Sequence, residues 1–320
     1  MSERYATDHK RIVVTRVEFA SRMSEIAHAI DQPSVDGVNS FFVCRAAAAH
    51  VKVALSGQGG DELFAGYNVF QLASLVSAIN ARIPTLSRPA ARLGRTALRL
   101  PPRVQQNWYL LAAAAILTRG QVLLDKVWNP LFGASELGAD SLPLLEREAN
   151  GDLVNAISRL SISDYLPNTL LRDMDAMSMA HSLEVRVPIV DHVLTEFALS
   201  IPGNQKVAWG DSKSLLRLLA RRRLPAELIG RRKFGFQMPL AEWLRHPSCF
   251  RTLVDALAPD TVSAAGLVSP ALVGHELAWL RRPRPGDISW LRGHRVWALY
   301  VLHEWHAQWQ SLRREARLRR

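Results

Sequence analysis

The sequence predicts an α/β fold, in which a partial parallel sheet is followed by a large, mainly helical portion. Residues 12–17 and 51–55 are rich in β-branched side chains and are predicted to form strands. Between them, residues 20–30 and 41–49 have the apolar spacing of helices, which gives a strand–helix–helix–strand unit. Beyond Tyr67, Ala- and Leu-rich helical stretches dominate, at residues 71–81, 89–99, 104–118 and 152–166.

A glycine-rich loop follows the second predicted strand, within the sequence VKVALSGQGGDELFAGY at residues 51–67. Glycines allow backbone N–H groups to approach an anion closely, and the start of the next helix favours negative charge, so the loop suits a phosphate. The pair Asp61-Glu62 just beyond it suits a divalent cation that bridges phosphate oxygens. An ordinary strand-to-helix turn explains the same glycines equally well, because short glycine motifs recur by chance. The loop consists of Ser56, Gly57, Gln58, Gly59 and Gly60.

Length and composition indicate a protein with a substantial core, since 48% of the 320 residues are hydrophobic. The two cysteines, Cys44 and Cys249, cannot build a disulfide framework, and the N-terminal segment lacks the apolar stretch of a signal peptide. The most apolar run, residues 109–117, is far shorter than the roughly 20 residues that a bilayer span requires. We therefore expect a cytoplasmic protein without a membrane partner.

The formal net charge of +11 raises the question of nucleic-acid binding. Arginine occurs in short runs at residues 221–223, 231–233 and 313–320, among leucines at helical spacing. A nucleic-acid binder would gather this charge on one face together with base-stacking aromatic residues, and recognised motifs of that kind are absent. Solvated helix faces account better for the pattern, and we expect no nucleic-acid partner.

Three blocks of sequence occur along the chain: SGQGGDELFAGY at residues 56–67, LPNTLLRDMDAMSMAHSLEVRVPIVDH at 166–192, and RRKFGFQMPLAEWL at 231–244. In this order they resemble three blocks of the synthetase domain of glutamine-hydrolysing asparagine synthetases. The similarity extends to residues 31–43 and 213–225 and so covers most of residues 8–245. Several specific blocks in family order are stronger evidence than one glycine loop.

The resemblance implies a single adenine-nucleotide α-hydrolase-like domain over residues 1–320, truncated at its N-terminal side. Residues 1–67 would form the nucleotide-binding α/β remnant and residues 68–320 the mainly helical portion. The family's glutaminase domain, with its N-terminal cysteine nucleophile, and its SGGxDS pyrophosphate loop have no counterpart here, and Met1 is followed by Ser2. We therefore expect little or no turnover by the chain alone, because no preorganised site for pyrophosphate is present.

The resemblance also implies a two-step ligation. The carboxylate of aspartate or a related compound is activated as an acyl-adenylate, and ammonia then forms the amide. ATP and Mg²⁺ are the implied cofactors, with a small carboxylate, ammonia, and a separate glutaminase or complementing chain as partners. Asp61 matches a metal-binding carboxylate and Lys233 a lysine that stabilises charge during adenylation, against the alternatives of a helix-start residue and a surface lysine. The segment that contacts ATP matches Ser56, Gly57, Gly59 and Gly60.

Two positions depart from the family pattern. Gln58, the second candidate catalytic residue, stands where well-studied members have a glutamate proposed as general base for ammonia. A neutral amide cannot accept that proton, although it can still orient a nucleophile. Ala176 stands where an arginine is common, and alanine cannot replace a bidentate donor near phosphate.

Three interpretations stay open at this point. The chain is an incomplete part of a functional asparagine synthetase-like amidotransferase, a non-catalytic remnant that needs a partner to complete its sheet, or a module that binds ATP or an acyl-adenylate without turnover. The other charged residues of the second block favour a structural network, in which Glu184 or Asp191 pairs with Arg186. No spacing of histidines, cysteines and carboxylates indicates zinc.

Overall fold

The computed structural model describes residues 2–82, 152–207, 212–229, 238–282 and 289–318. In the first of these segments lie α1 (Arg16–Ala29), α2 (Gly37–Ala48), β1 (Val53–Leu55), α3 (Gly60–Leu63) and α4 (Asn68–Arg82). The second contains α5 (Leu153–Leu160), a π-helix (Ser161–Leu171), α6 (Arg172–Met179), β2 (Glu184–Arg186), a 3₁₀ helix (Pro188–Val190), α7 (His192–Ser200) and α8 (Gly203–Lys206). The remaining helices are α9 (Ser214–Arg221), α10 (Ala226–Ile229), α11 (Leu240–Arg245), α12 (Pro247–Ala256), α13 (Pro259–Ala265), α14 (Pro270–Arg281) and α15 (Ser289–Leu318).

The two strands form a small parallel sheet, which confirms the predicted class of an α/β unit followed by a helical portion. Val53 lies opposite Glu184, and Leu55 lies opposite Arg186. The N–H of Ser56 donates to the carbonyl oxygen of Arg186 at 2.8 Å, so pairing continues into the first loop residue. The glycine loop therefore starts at the carboxyl end of a parallel sheet, where ligands of α/β proteins commonly bind.

The prediction of a strand at residues 12–17 is wrong. No strand is present there, and α1 begins at Arg16 behind the N-cap Thr15, whose side chain accepts from the N–H of Glu18. The side chains of Val13 and Val17 are 66% and 71% exposed. A strand is stable only beside another strand, and no described residue pairs with this segment, so β-branched composition alone does not suffice.

The helices predicted at residues 20–30, 41–49 and 71–81 are confirmed by α1, α2 and α4, while those at 89–99 and 104–118 lie outside the described residues. The predicted helix at 152–166 is split between α5 and the π-helix, which contains Pro167. Proline lacks the N–H of a regular helix, and the wider π geometry accommodates the interruption. Of the helices that the structure describes, none is long and apolar enough to cross a membrane.

The buried side chains group into three clusters. The largest joins α1 and α2 to the last helices around Trp297, Tyr300 and Phe19. A second joins α4 to α5 around Phe70. The smallest includes Leu63 of α3, directly below the glycine loop. Burial of this helix fixes the loop on the core, so the loop is held in one position relative to the sheet.

Candidate functional site

The loop between β1 and α3 depends on Gly59. Its φ of +87° lies in the left-handed region that residues with a Cβ rarely adopt. A Cβ built there would also lie 2.6 Å from Cγ2 of Val190, in the 3₁₀ helix after β2. Upstream, the N–H of Gln58 is 3.4 Å from Oγ of Ser56, and Gly57 is exposed with open space around it. The loop thus combines one sterically obligatory glycine with one glycine that faces solvent.

Asp61, the candidate metal ligand, is paired with a residue that the sequence reasoning did not single out. Its Oδ1 lies 3.2 Å from Nζ of Lys213, immediately before α9. Lys213 has a φ of +59°, an uncommon conformation for a residue with a side chain, and such outliers are concentrated at functional sites. The only signal in the sequence is that Lys213 opens the block KSLLRLLARRRLP, which shares the family resemblance.

Gly66 provides the space for this ion pair. A Cβ at Gly66 would lie 1.8 Å from Oδ1 of Asp61 and 2.4 Å from Cε of Lys213. The N–H of Gly66 also donates to the carbonyl oxygen of Asp61 at 2.8 Å. Asp61 and Lys213 can therefore occupy these positions only because residue 66 has no side chain.

Glu62 has a different environment from its neighbour Asp61. It is 1% exposed, and the hydroxyl of Tyr67 donates to its Oε1. Burial raises the pKa of Glu62, with the hydrogen bond from Tyr67 acting in the opposite direction. The two adjacent acidic residues thus differ: the carboxylate of Asp61 is partly exposed at the loop, and that of Glu62 is buried in the core.

The residues at the loop fit a magnesium ion only if phosphate supplies further ligands. Asp61 offers one partly exposed carboxylate, and no group of three or more His, Cys, Asp or Glu side chains suited to a metal occurs in the described part of the chain. Mg²⁺ is commonly held by one or two carboxylates together with substrate phosphates and water. The donor set at Asp61 matches that mode and does not match an all-protein cage.

The side-chain amide of Gln58 is anchored through one of its two polar atoms. Its Nε2 donates to the carbonyl oxygen of Leu170 in the π-helix at 3.3 Å. Its Oε1 is buried and has no hydrogen-bond partner among the described residues. An amide oxygen can accept an N–H of a ligand but cannot remove a proton, and because this oxygen is buried, a ligand reaches it only after the side chain or its surroundings move.

A buried acidic cluster lies at the junction of α2, the π-helix and α6. The hydroxyl of Tyr165 donates to Oδ2 of Asp36 at 3.3 Å, and the hydroxyl of Ser34 donates to Oδ2 of Asp173. Burial raises the pKa of Asp173 to about 7, opposed by the Ser34 hydrogen bond and reinforced by the negative charge of Asp36. Burial also raises the pKa of Asp36. These residues come from distant parts of the sequence, and Asp36 has no local signal.

The other predicted residues are the charged side chains of the second sequence block and Lys233. Arg186 pairs with Glu184 at 2.8 Å, as one of the two alternatives predicted, whereas Asp191 caps α7 by accepting from the N–H groups of Val193 and Leu194. Lys233 lies outside the described residues, so its role stays a prediction.

A cavity of about 540 Å³ opens beside Asp61 and Lys213. One wall carries the guanidinium of Arg217, whose Nη1 donates to the carbonyl oxygen of Ile229 at 2.8 Å. Two cations at a partly open cavity next to a loop at a sheet's carboxyl end suit an anionic ligand such as phosphate. The lining consists of Asp61, Ser212, Lys213, Leu216, Arg217, Ala220, Leu224, Leu228 and Ile229.

Known proteins resemble this chain along most of its length. A sequence model of the family described as asparagine synthase matches residues 1–307. A Mycobacterium tuberculosis protein, named provisionally as a glutamine-hydrolysing asparagine synthetase, is 30% identical over 322 aligned residues, covering 96% of this chain and 47% of the relative. The glutamine-hydrolysing asparagine synthetase 1 of Bacillus subtilis is also 30% identical, over 73% of this chain and 38% of its own length.

A more distant relative carries a different name. Amidase chry2 of Gibberella zeae is 22% identical over 72% of this chain and 38% of its own length. In each of these alignments the chain spans about half or less of the relative.

Proposed function

Because this chain belongs to the asparagine synthase family, we propose that it binds ATP at the loop of residues 56–60 and takes part in the ATP-dependent amidation of a small carboxylate. The observation that carries the proposal is the Asp61–Lys213 pair beside that loop, at the carboxyl end of β1. Aspartate or a related compound is the proposed acceptor, and ammonia the proposed nitrogen donor.

In the proposed reaction the acceptor carboxylate attacks the α-phosphate of ATP and pyrophosphate leaves. Ammonia then attacks the acyl-adenylate and displaces AMP. Gly57 and Gly59 let the backbone approach the phosphates, and the ammonium group of Lys213 compensates their negative charge. Mg²⁺, when bound, neutralises charge on phosphate oxygens, and Asp61 is the residue that would hold it.

Two further residues have proposed roles in this reaction. Once ligand binding uncovers Oε1 of Gln58, this oxygen is proposed to accept an N–H of ammonia and orient the nitrogen lone pair towards the acyl carbon; the anchored amide and its unpartnered oxygen support the role. Lys233 is proposed, from the resemblance of RRKFGFQMP, to stabilise charge during adenylation.

Binding of ATP is the first test. We expect calorimetric titration with ATP and excess Mg²⁺ to give a saturable site, and Asp61→Asn to weaken it about tenfold, because a metal carboxylate is lost. Asp8→Asn, an exposed carboxylate paired with Lys10, is the matched control and should leave the affinity unchanged. In EDTA the difference between wild type and Asp61→Asn should shrink. An equal effect with and without Mg²⁺ would argue against a metal role for Asp61.

Turnover is tested separately. Purified chain is given ATP, Mg²⁺, aspartate and ammonium, and pyrophosphate release is followed. For residues 1–320 we expect saturable binding of ATP with little release of pyrophosphate, because these residues contain no SGGxDS sequence that would hold it. Robust release that Asp61→Asn abolishes would show that this loop is dispensable.

A second candidate function is that of a part that works with another polypeptide. The observation that favours it is the open face of the sheet, on which Val53 and Leu55 are 43% and 75% exposed. Parallel sheets are normally covered on both faces, so the proposed partner is a complementing chain that packs on this face. A separate glutaminase that delivers ammonia is proposed from the family resemblance alone.

The open face can be tested through self-association. We expect sedimentation velocity of wild type to show concentration-dependent association, and Leu55→Ser to shift it towards monomer, because exposed apolar strands adhere to one another. Val193→Ser, on the similarly exposed first turn of α7, is the control. Association that is unchanged by Leu55→Ser and reduced by Val193→Ser would place the adhesive surface elsewhere.

A further inference from the structure

A second cavity of about 500 Å³ lies along one side of α12, between that helix and the end of α14. Arg245, at the end of α11, closes one side of it. The cavity shares no residue with the one beside Asp61 and Lys213. Its lining consists of Arg245, Pro247, Phe250, Arg251, Val254, Asp255, Leu280 and Arg281.

Two of its three arginines are held by aromatic rings. Cζ of Arg281 lies 4.6 Å from the ring centroid of Phe250, and Cζ of Arg245 lies 4.9 Å from that of Trp279. Nε of Arg245 also donates to the carbonyl oxygen of Leu280 at 3.2 Å. Stacking occupies the face of a guanidinium and leaves in-plane N–H groups for an anion, and it lowers the entropy lost on binding.

The charge of this cavity is not balanced within the described part of the chain. Arg245, Arg251 and Arg281 form no ion pair with a described carboxylate, and Asp255 is the one acidic residue of the lining. Two other arginines do form ion pairs: Arg292 and Arg295 both donate to the buried carboxylate of Glu276, at 2.7 and 2.9 Å. Among the described residues, Glu276 thus neutralises Arg292 and Arg295, whereas the three arginines of this cavity have Asp255 as the acidic residue of the same lining.

We propose that this cavity binds a phosphorylated small molecule of nucleotide size. Three guanidinium groups supply charge-assisted hydrogen bonds to phosphate oxygens. The apolar wall of Pro247, Val254 and Leu280 packs the uncharged part of the ligand, and the volume lies within the range of small-molecule sites. The inference does not depend on the proposed function of the glycine loop.

The test is titration calorimetry with ADP and with inorganic pyrophosphate, in buffer containing EDTA, so that metal-dependent binding at Asp61 is suppressed. Saturable binding of both probes is expected, and the double variant Arg251→Gln/Arg281→Gln should lose about tenfold or more in affinity. Arg221→Gln/Arg222→Gln, with the same charge change on exposed residues of α9 and its C-cap, should leave the affinity unchanged. Thermal unfolding checks that each variant is folded, and Arg251→Glu, at an exposed position, is the fallback if loss of the Arg281–Phe250 contact unfolds the chain.

Lys213→Met separates the two cavities. Binding that survives Lys213→Met and is lost in the Arg251/Arg281 variant supports the inference. Binding that is lost in Lys213→Met and retained in the Arg251/Arg281 variant overturns it, because the probe then occupies the glycine-loop site alone. Absence of binding by wild type overturns it as well, and equal affinity for succinate overturns the assignment to phosphorylated ligands.

Discussion

Gly66→Ala is expected to weaken binding of ATP in the presence of Mg²⁺ about thirtyfold, equivalent to roughly 2 kcal/mol. The added methyl would lie 1.8 Å from Oδ1 of Asp61 and 2.4 Å from Cε of Lys213, so both side chains must move. Displacing them removes both the proposed metal ligand and the ammonium group that is proposed to compensate the charge of the phosphates. Calorimetric titration of the variant measures the effect.

Gly57→Ala is the matched control for the fold. A Cβ there meets no atom within 4 Å, so the free energy of unfolding should stay within about 0.5 kcal/mol of wild type. Gly66→Ala should lower the free energy of unfolding by more than this, because the loop must leave its stable position to relieve the clash. If Gly66→Ala bound ATP with unchanged affinity, neither Asp61 nor Lys213 could be in contact with the nucleotide.

Asp173→Asn is expected to remove a pH dependence of stability. The carboxyl of Asp173 has its pKa raised to about 7 by burial, against an ordinary value of 3.8. Well below pH 3.8 it is protonated in both the folded and the unfolded chain. Between the two values the unfolded chain releases the proton and the folded chain keeps it, so the free energy of unfolding falls as pH rises, by at most roughly 4 kcal/mol above pH 7.

The measurement is urea unfolding of wild type and Asp173→Asn between pH 4 and pH 8. The asparagine can still accept the hydrogen bond of Ser34, so the variant should match wild type near pH 4 and exceed its stability by a few kcal/mol near pH 8. The groups that act on Asp173 are Ser34, Asp36 and Arg172, and all are unchanged in the variant. Asp175→Asn, an exposed carboxylate on the same helix, should keep the wild-type slope. Parallel pH curves for wild type and Asp173→Asn would mean that this carboxyl is ionised in the folded protein.

Local sequence patterns predicted the structural features that depend only on residues adjacent in the chain. The strand β1, the loop after it and the start of α3 at Gly60 are contiguous, and the backbone of that single turn requires a glycine at position 59. The helical periods of α1, α2 and α4 were recognisable because each buries one face on the core. The same local reasoning failed at residues 12–17, because a strand also needs a partner that lies elsewhere in the chain.

The acidic cluster could not be predicted from patterns of adjacent residues. Asp36 and Asp173 are far apart in the sequence, and nothing local to Asp36 marks it as one of two carboxyls in a shared buried environment. A raised pKa is a property of desolvation and of neighbouring charge, both of which arise only when α2 packs against α6.

The sequence by itself determined the family, the glycine loop and the residue types at it, because these are properties of adjacent positions. Only the tertiary structure decided that Asp61 meets Lys213, that Gly66 leaves room for both, and that Glu62 is withdrawn into the core. The physical reason is that charge pairing, steric clearance and desolvation act over a few ångströms in space, whatever the separation along the chain.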